Sequence, residues 1–174
     1  MPHPLDGCWA KIERAKEQIG NLDAEITALL NSGIYTVVGE NQPERRRYAF
    51  KLLGPPAPLR FAVITGEIVH HLRSAFDHVV WALAKKNAIP HDERIQFPVC
   101  DSSEKFEKAV RGGIIKGVSR ADRAPIEALQ PYRTSDPANS ILRIVHDLDI
   151  ADKHRLYRRV TDSVVNTTAS EALP

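Results

Sequence analysis

The stretch HHLRSAFDHVVWALAKK, residues 70–86, places several side chains capable of acid–base and phosphate chemistry on one predicted helix. Arg73 and His78 form an R-x4-H pair within it. In an RNase that needs no metal, a neutral imidazole can move a proton at the ribose 2′-hydroxyl, and a guanidinium can bind the phosphate and stabilise its developing charge. The pair therefore predicts metal-independent RNA cleavage, with His78 as the proton-transfer residue and Arg73 as the phosphate-binding residue.

The polar side of this helix also fits a structural role. At about 100° per residue, His70, Ser74, Asp77 and Trp81 lie within about 60° of one another. A Trp in the middle of a polar face indicates that another helix covers that face, and covered polar groups must satisfy each other's hydrogen bonds. A non-catalytic, homodimeric interaction module with a buried polar network is therefore the alternative to the ribonuclease.

The segment DIADKHR supplies further candidate residues from a second helix. If that helix is unbroken, Asp152 and Arg155 fall on its inward stripe, where charges need partners. They can pair with each other, or Asp152 can hold Arg73 or orient His78 in the correct tautomer. We expect Asp152 to be the orienting carboxylate of the catalytic site. The expected binding residues are Ser74, Asp77, His154 and Arg155.

An R-x4-H motif on an inner helix of an all-α bundle resembles the HEPN domains, whose members include ribonuclease toxins and RNA-cleaving defence proteins. The residue after the Arg is often Asn, Asp or His in that family and is Ser74 here. In HEPN RNases the site generally forms across a dimer, with an Arg and a His from each protomer. The resemblance therefore implies an endoribonuclease, an obligate homodimer and RNA as a partner.

A second resemblance covers more of the chain. The series LRSAFDHVVWAL, IQFP, IEALQPY and DIADKHR, over about residues 60–155, resembles a pattern shared by a group of uncharacterised bacterial proteins. It implies no particular activity. It does imply a single integrated domain with the two polar helices at its centre.

Metal binding is a third interpretation of the same helices. His71 and His78 are seven residues apart and nearly aligned, while His146 and Asp149 have an i, i+3 spacing that metal ligands use in helical bundles. Such bundles use two Glu-x-x-His motifs and this sequence has one, Glu67 to His70, so no metal ligands are assigned. The GGIIKG segment is neither a P-loop nor a dinucleotide fingerprint. No cofactor is therefore expected.

Apolar periodicity predicts the helices that must position these residues. The fold class is mainly α, a helical bundle of about five helices with an inserted β-hairpin at about 34–53. The two longest helices are expected to form an antiparallel pair, and the last helix, with Ile141 and Ile144 on its inward stripe, is expected to cover the polar face. The predicted helices span about 5–30, 59–87, 103–111, 121–129 and 137–157. Residues 1–160 are expected to form one domain, and 161–174 a flexible or truncated tail.

Composition narrows the class of protein. At 174 residues, with 43% hydrophobic and 26% charged residues, the chain can bury one sizeable core. A formal charge of +2 permits RNA without predicting it. Cys8 and Cys100 form no CxxC pattern, and no long apolar run is present. We therefore expect a cytoplasmic protein without a membrane segment.

Overall fold

The computed structural model describes residues 3–45, 47–87 and 93–154. It confirms a mainly α fold with an inserted hairpin. The elements in chain order are α1 (Asp6–Asn31), β1 (Thr36–Gln42), a 3-10 turn (Pro43–Arg45), β2 (Arg47–Leu53), α2 (Leu59–Lys86), α3 (Ser103–Arg111), α4 (Arg120–Ala128), a second 3-10 turn (Pro131–Arg133) and α5 (Ile141–His154). The predicted tail, 161–174, and the predicted helix beyond residue 154 lie outside the described residues.

The two long helices, α1 and α2, pack against each other in opposite directions, as predicted. Glu25 near the end of α1 pairs with Arg60 at the start of α2. Gln18 contacts Glu67 in the middle of the pair. At the other end, a Cβ on Gly7 would stand 2.8 Å from His78 Nδ1. The contacts therefore run in reverse order along the two helices.

The main apolar core lies at the C-terminal half of α2. Val80 and Ala84 are fully buried there. They pack with the extended segment 95–100, with α3 and α4, and with Leu142 at the start of α5. Ser102 and Ser119 cap α3 and α4 by accepting hydrogen bonds from backbone N–H groups. This core fixes the half of α2 that carries Arg73 and Asp77.

Helix α5 differs from its prediction in its start and in its inward face. The predicted start at Pro137 is wrong, because the helix begins at Ile141, one residue after Ser140, whose hydroxyl accepts from Arg143 N. The predicted inward positions of Ile141 and Ile144 are also wrong, since these residues are 81% and 42% exposed. The face towards α2 instead carries Leu142, Asp149 and the half-buried His146. Asp149 is accommodated at this face because His70 of α2 contacts its carboxylate.

The hairpin stands largely apart from the described helices. Its strands pair antiparallel with Val37 opposite Leu52, Gly39 opposite Phe50 and Asn41 opposite Tyr48. Alternation along a strand puts these six residues on one face.

Among the described helices, none combines the length and the apolar composition that a membrane span needs.

Candidate functional site

Arg73 is buried and holds the extended segment after α2 in place. Its Nη1 donates to Asp77 Oδ1 at 2.6 Å, and its Nη2 donates to the carbonyl oxygen of Phe97 at 2.9 Å. Asp77 Oδ1 also accepts from the backbone N–H of Phe97 at 2.7 Å. The Arg73–Asp77 pair on α2 thus satisfies both the N–H and the carbonyl group of the buried Phe97. We call Arg73, Asp77 and Phe97 the arginine clamp.

Gln130 holds the same segment from the other side. It is completely buried. Its Oε1 accepts from the backbone N–H of Cys100 at 2.9 Å, and its Nε2 donates to the carbonyl oxygens of Pro98 and Ile126 at 3.0 Å. An extended segment inside a core has no ladder partners, so side chains must satisfy its backbone. Gln130 and the arginine clamp do so together.

His78 lies on a different side of α2 from the arginine clamp. It is exposed and lies beside Gly7 in the first turns of α1. Residues five apart on a helix differ by about 140° in direction. The structure therefore does not bring His78 to Arg73 within one chain. Ser74 is half-buried and lies between Arg73 and His78 around the helix axis.

The structure describes only some of the candidate residues of the DKHR segment. Asp152 lies on α5 and points to Gly66 of α2, so that a Cβ at Gly66 would overlap its carboxylate. His154 is the last residue of α5. Its side chain and the whole of Arg155 lie outside the described residues. Asp152 is thus brought to the side of α2 that also carries His70.

A cleft of about 620 Å³ opens where α1, α2 and α5 meet. Its volume is within the range of small-molecule sites, roughly 300–1,000 Å³. Three helices contribute polar side chains, Val63 is half-exposed, and the Asp152 carboxylate lies over the Cα of Gly66. The lining residues are Arg14, Gln18, Val63, Gly66, Glu67, His70, His71 and Asp152.

The cleft contains acceptor groups at defined positions. Gln18 is 6% exposed, and its Nε2 donates to Glu67 Oε2 at 2.5 Å. That contact fixes the orientation of the amide, because the opposite orientation would place two oxygens together. The other amide atom, Oε1, is buried and has no hydrogen-bond partner among the described residues. Arg14 is on the rim and pairs with Glu17 on the surface at 2.9 Å.

Behind the cleft, α2 and α5 are joined by a charged contact. Asp149 is buried, and its Oδ1 lies 3.3 Å from His70 Nδ1. Its second oxygen accepts from Lys153 Nζ at 2.6 Å. Lys153, on the same helix, therefore neutralises the buried carboxylate of Asp149. The other oxygen of that carboxylate orients the His70 ring.

Two histidines near these contacts have lowered pKa values. Burial lowers the pKa of His71 below its usual 6.5, and the nearby Lys11, His70 and Arg14 lower it further against the opposing effect of Glu67. Burial also lowers the pKa of His146, with Arg73 as the next contribution. Both Nδ1 atoms are buried, and neither has a hydrogen-bond partner in the part of the chain that the structure describes. Burial therefore favours the neutral form of both rings.

The sequence interpretation missed Gln18, Glu67, Gly66 and Gln130. Gln18 lies in no motif and Gln130 lies within IEALQPY without a sign of its role, so only their burial reveals them. Gly66 did have a signal, since a glycine inside a helix costs about 1 kcal/mol relative to Ala and usually has a packing reason. Among the described residues, no group of three or more His, Cys, Asp or Glu side chains is placed to hold a metal ion.

No protein-family model, curated protein or solved structure matches this chain. The geometry of the arginine clamp, the cleft and the hairpin is therefore the basis for assigning a function.

Proposed function

We propose that this chain is a non-catalytic interaction module that associates with a second copy of itself. The observation that carries the proposal is the arginine clamp. Arg73 is 6% exposed, and both of its terminal nitrogens are engaged by Asp77 and by Phe97 O. A phosphate-binding guanidinium needs free donors directed at the substrate. The residue types that indicated an active site are used here to hold the scaffold.

The surface for self-association is the apolar face of the hairpin. Val37, Tyr48, Phe50 and Leu52 are between 46% and 63% exposed on that face. They form a continuous patch without a charged residue, and an isolated two-stranded hairpin is marginal in water unless its face is covered. The face of a second copy is equally apolar, and a net charge of +2 per chain opposes their approach only weakly.

The area of this face sets the strength of the dimer. If about half of each of four large side chains is available, each copy contributes on the order of 400 Å². The total, about 800 Å², is below the roughly 1,200–2,000 Å² of stable specific interfaces and in the range of weak, transient contacts. We therefore expect a weak, reversible dimer in which two hairpins pack face to face. An obligate dimer of the HEPN type would need a larger surface.

Sedimentation velocity over a wide range of protein concentration tests this proposal. The wild-type chain is expected to shift from monomer to dimer as its concentration rises, and Phe50→Ser with Leu52→Ser is expected to remain monomeric. Ile141→Ser is the matched control, because Ile141 is highly exposed but lies on α5. A wild-type chain that stays monomeric throughout, or a hairpin variant that dimerises equally well, would refute the proposal.

Metal-independent RNA cleavage stays a prediction and is the second candidate. The observation in its favour is that His78 and His70 both expose their imidazoles on α2. Cleavage of a labelled RNA in excess chelator is the test, with His78→Ala, His70→Ala and Arg73→Lys compared with wild type. Loss of cleavage in a folded His78→Ala variant would support the ribonuclease, and absence of cleavage by the wild-type chain would exclude it.

A further inference from the structure

We propose that α1 carries a second self-association surface, through which two hairpin dimers join into a tetramer. The tetramer rests on the proposed function, because this surface acts between dimers that the hairpins have already formed. Its residues lie along the outer side of α1 and share a regular spacing, exposure and order of charge. We call them the α1 seam: Trp9, Ile12, Lys16, Ile19, Asp23, Ile26 and Leu30.

The α1 seam has the spacing of a coiled-coil helix. Its members are alternately three and four residues apart from Trp9 to Leu30, which is almost the full length of α1. At about 100° per residue they lie within about 100° of one another and form one stripe along the helix. Two helices with such stripes pack the side chains of one into the spaces of the other. The residues that α1 buries within its own chain are different ones, Cys8, Ala15 and Gln18.

The described part of the chain leaves the apolar residues of the seam about half uncovered. Trp9, Ile19, Ile26 and Leu30 are between 37% and 57% exposed, and Ile12 is half-buried. At about 100 Å² for each of these side chains, the seam offers on the order of 500 Å² per copy. Two copies would bury about 1,000 Å² in all, below the roughly 1,200–2,000 Å² of stable specific interfaces. One seam contact alone is therefore not expected to hold two monomers together.

Two seams match each other when they run antiparallel. If Ile19 of each copy lies at the two-fold axis, Ile12 of one copy is opposite Ile26 of the other. Trp9 of one copy is then opposite Leu30 of the other. Every apolar residue of the seam thus meets an apolar residue, as a self-complementary surface at a two-fold axis requires.

The charges of the seam select the same alignment and a second copy as the partner. Lys16 of one copy lies opposite Asp23 of the other, so each contact contains two pairs of opposite charge. In a parallel pair, Lys16 would meet Lys16 and Asp23 would meet Asp23, and like charges would repel each other. Lys16 is available for this contact, because its pairing with Glu13 at 2.8 Å is exposed, and exposed pairs contribute little to stability.

A hairpin dimer carries two α1 seams, which strengthens the contact between dimers. Once one seam of a dimer engages a second dimer, its other seam is held at a high effective concentration. Two dimers therefore associate where two monomers do not. The product is a tetramer with two kinds of two-fold contact, one between hairpins and one between α1 helices.

Sedimentation velocity at concentrations above those that form the hairpin dimer tests the tetramer. The wild-type chain is expected to reach a tetramer. Lys16→Glu is expected to stop at the dimer, because like charges then face each other across the contact and weaken it by at least roughly tenfold. Lys16→Glu with Asp23→Lys should restore the tetramer, since the exchanged charges are opposite again. Arg14→Glu is the matched control and should keep the tetramer, because it makes the same change of charge and also breaks an exposed i, i+3 pair, with Glu17, but Arg14 lines the cleft and not the seam.

Failure of the seam and failure of the hairpin give different results. A wild-type chain that stops at the dimer, or an exchanged variant that does not form the tetramer, would overturn the tetramer and leave the hairpin dimer unaffected. Phe50→Ser with Leu52→Ser forming the same species as wild type would refute the hairpin interface and, with it, the assembly of hairpin dimers. Labelling of Ile19→Cys by a maleimide should slow as the tetramer forms. Labelling that is equally slow at every concentration would show that the chain's own residues cover the seam, and would also overturn the tetramer.

Discussion

Arg73 donates a hydrogen bond from its guanidinium to the carbonyl oxygen of Phe97, 24 residues further along the chain. The same guanidinium pairs with Asp77, whose carboxylate accepts the N–H of Phe97. One ion pair on α2 therefore satisfies both backbone groups of a buried residue. This relationship gives Arg73, the arginine of the R-x4-H motif, a structural role.

Arg73→Ala is expected to destabilise the fold by about 2–3 kcal/mol, because it leaves the buried Phe97 carbonyl without its donor, whereas the partly exposed Asp77 can be solvated. Urea denaturation followed by circular dichroism measures the change. Arg143→Ala is the control, because Arg143 and Asp147 form the same i, i+4 pair at the same 2.6 Å on the exposed side of α5. That variant should cost about 0.5 kcal/mol or less. Equal losses in the two variants would contradict a structural role for the clamp.

Gln130→Ala is expected to cost about 3 kcal/mol, because it removes three hydrogen bonds and leaves buried backbone groups of Cys100 and Pro98 unsatisfied. Gln96→Ala, an exposed Gln in the adjoining segment, should change stability by less than about 0.5 kcal/mol. The midpoints of urea denaturation report both changes in stability, provided that the dependence of the unfolding free energy on urea concentration is the same in each variant. A Gln130 variant as stable as the Gln96 variant would show that the segment is held by apolar packing alone.

Two helical glycines should respond to alanine in opposite directions. A Cβ at Gly20 meets nothing within 4 Å, so Gly20→Ala should stabilise α1 by about 0.5–1 kcal/mol. A Cβ at Gly66 overlaps the Asp152 carboxylate, so Gly66→Ala should destabilise the protein despite its better helix propensity.

The reason for the Gly66 effect can be checked with a double variant. In an Asp152→Ala background the overlap is absent, and Gly66→Ala should then be neutral or stabilising. Thermal melts of the single and double variants measure the coupling between the two positions. Additive effects would mean that Asp152 does not contact Gly66.

Stability should fall on mild acidification because of His71 and His146. Both have pKa values below 6.5 in the folded chain, so the unfolded chain binds more protons once the pH falls towards and below 6.5. Their contribution to the free energy of unfolding is complete above pH 6.5 and decreases below it. The groups near them are Lys11 and Arg14 of α1, Arg73, His70 and Glu67 of α2, and Arg143, Asp147 and Asp149 of α5.

Denaturation at pH 7.5 and 5.5 measures this contribution, since the exposed carboxylates with lowered pKa values, such as Asp101 and Glu127, titrate below this interval. The difference between the two pH values should shrink in His71→Gln with His146→Gln. His3→Gln is the control, because His3 is exposed at the start of the chain. An unchanged difference in the double variant would assign the pH dependence to other groups.

The helices and the hairpin follow from local patterns in the sequence. Apolar residues every three or four positions predicted α1 and α2 within about two residues of their ends, and the turn residues around Pro43 predicted the hairpin. The antiparallel pairing of the two long helices was also predicted. The start of α5 was not, because Asp136 caps a turn, accepting from Asn139 N, and Ser140 caps the helix itself.

The role of the polar residues was decided by the tertiary structure. Periodicity gives the direction of a side chain around its own helix, but not the segment that lies opposite. Arg73 meets Phe97, Gln130 meets Cys100, and Asp152 meets Gly66 across long sequence separations that no local pattern encodes. The sequence by itself determined which elements form and where polar side chains are concentrated. Only the packing of those elements decided that Arg73 is enclosed and that the cleft lies on the Gln18 and Asp152 side, because burial and hydrogen-bond partners depend on all the neighbouring elements at once.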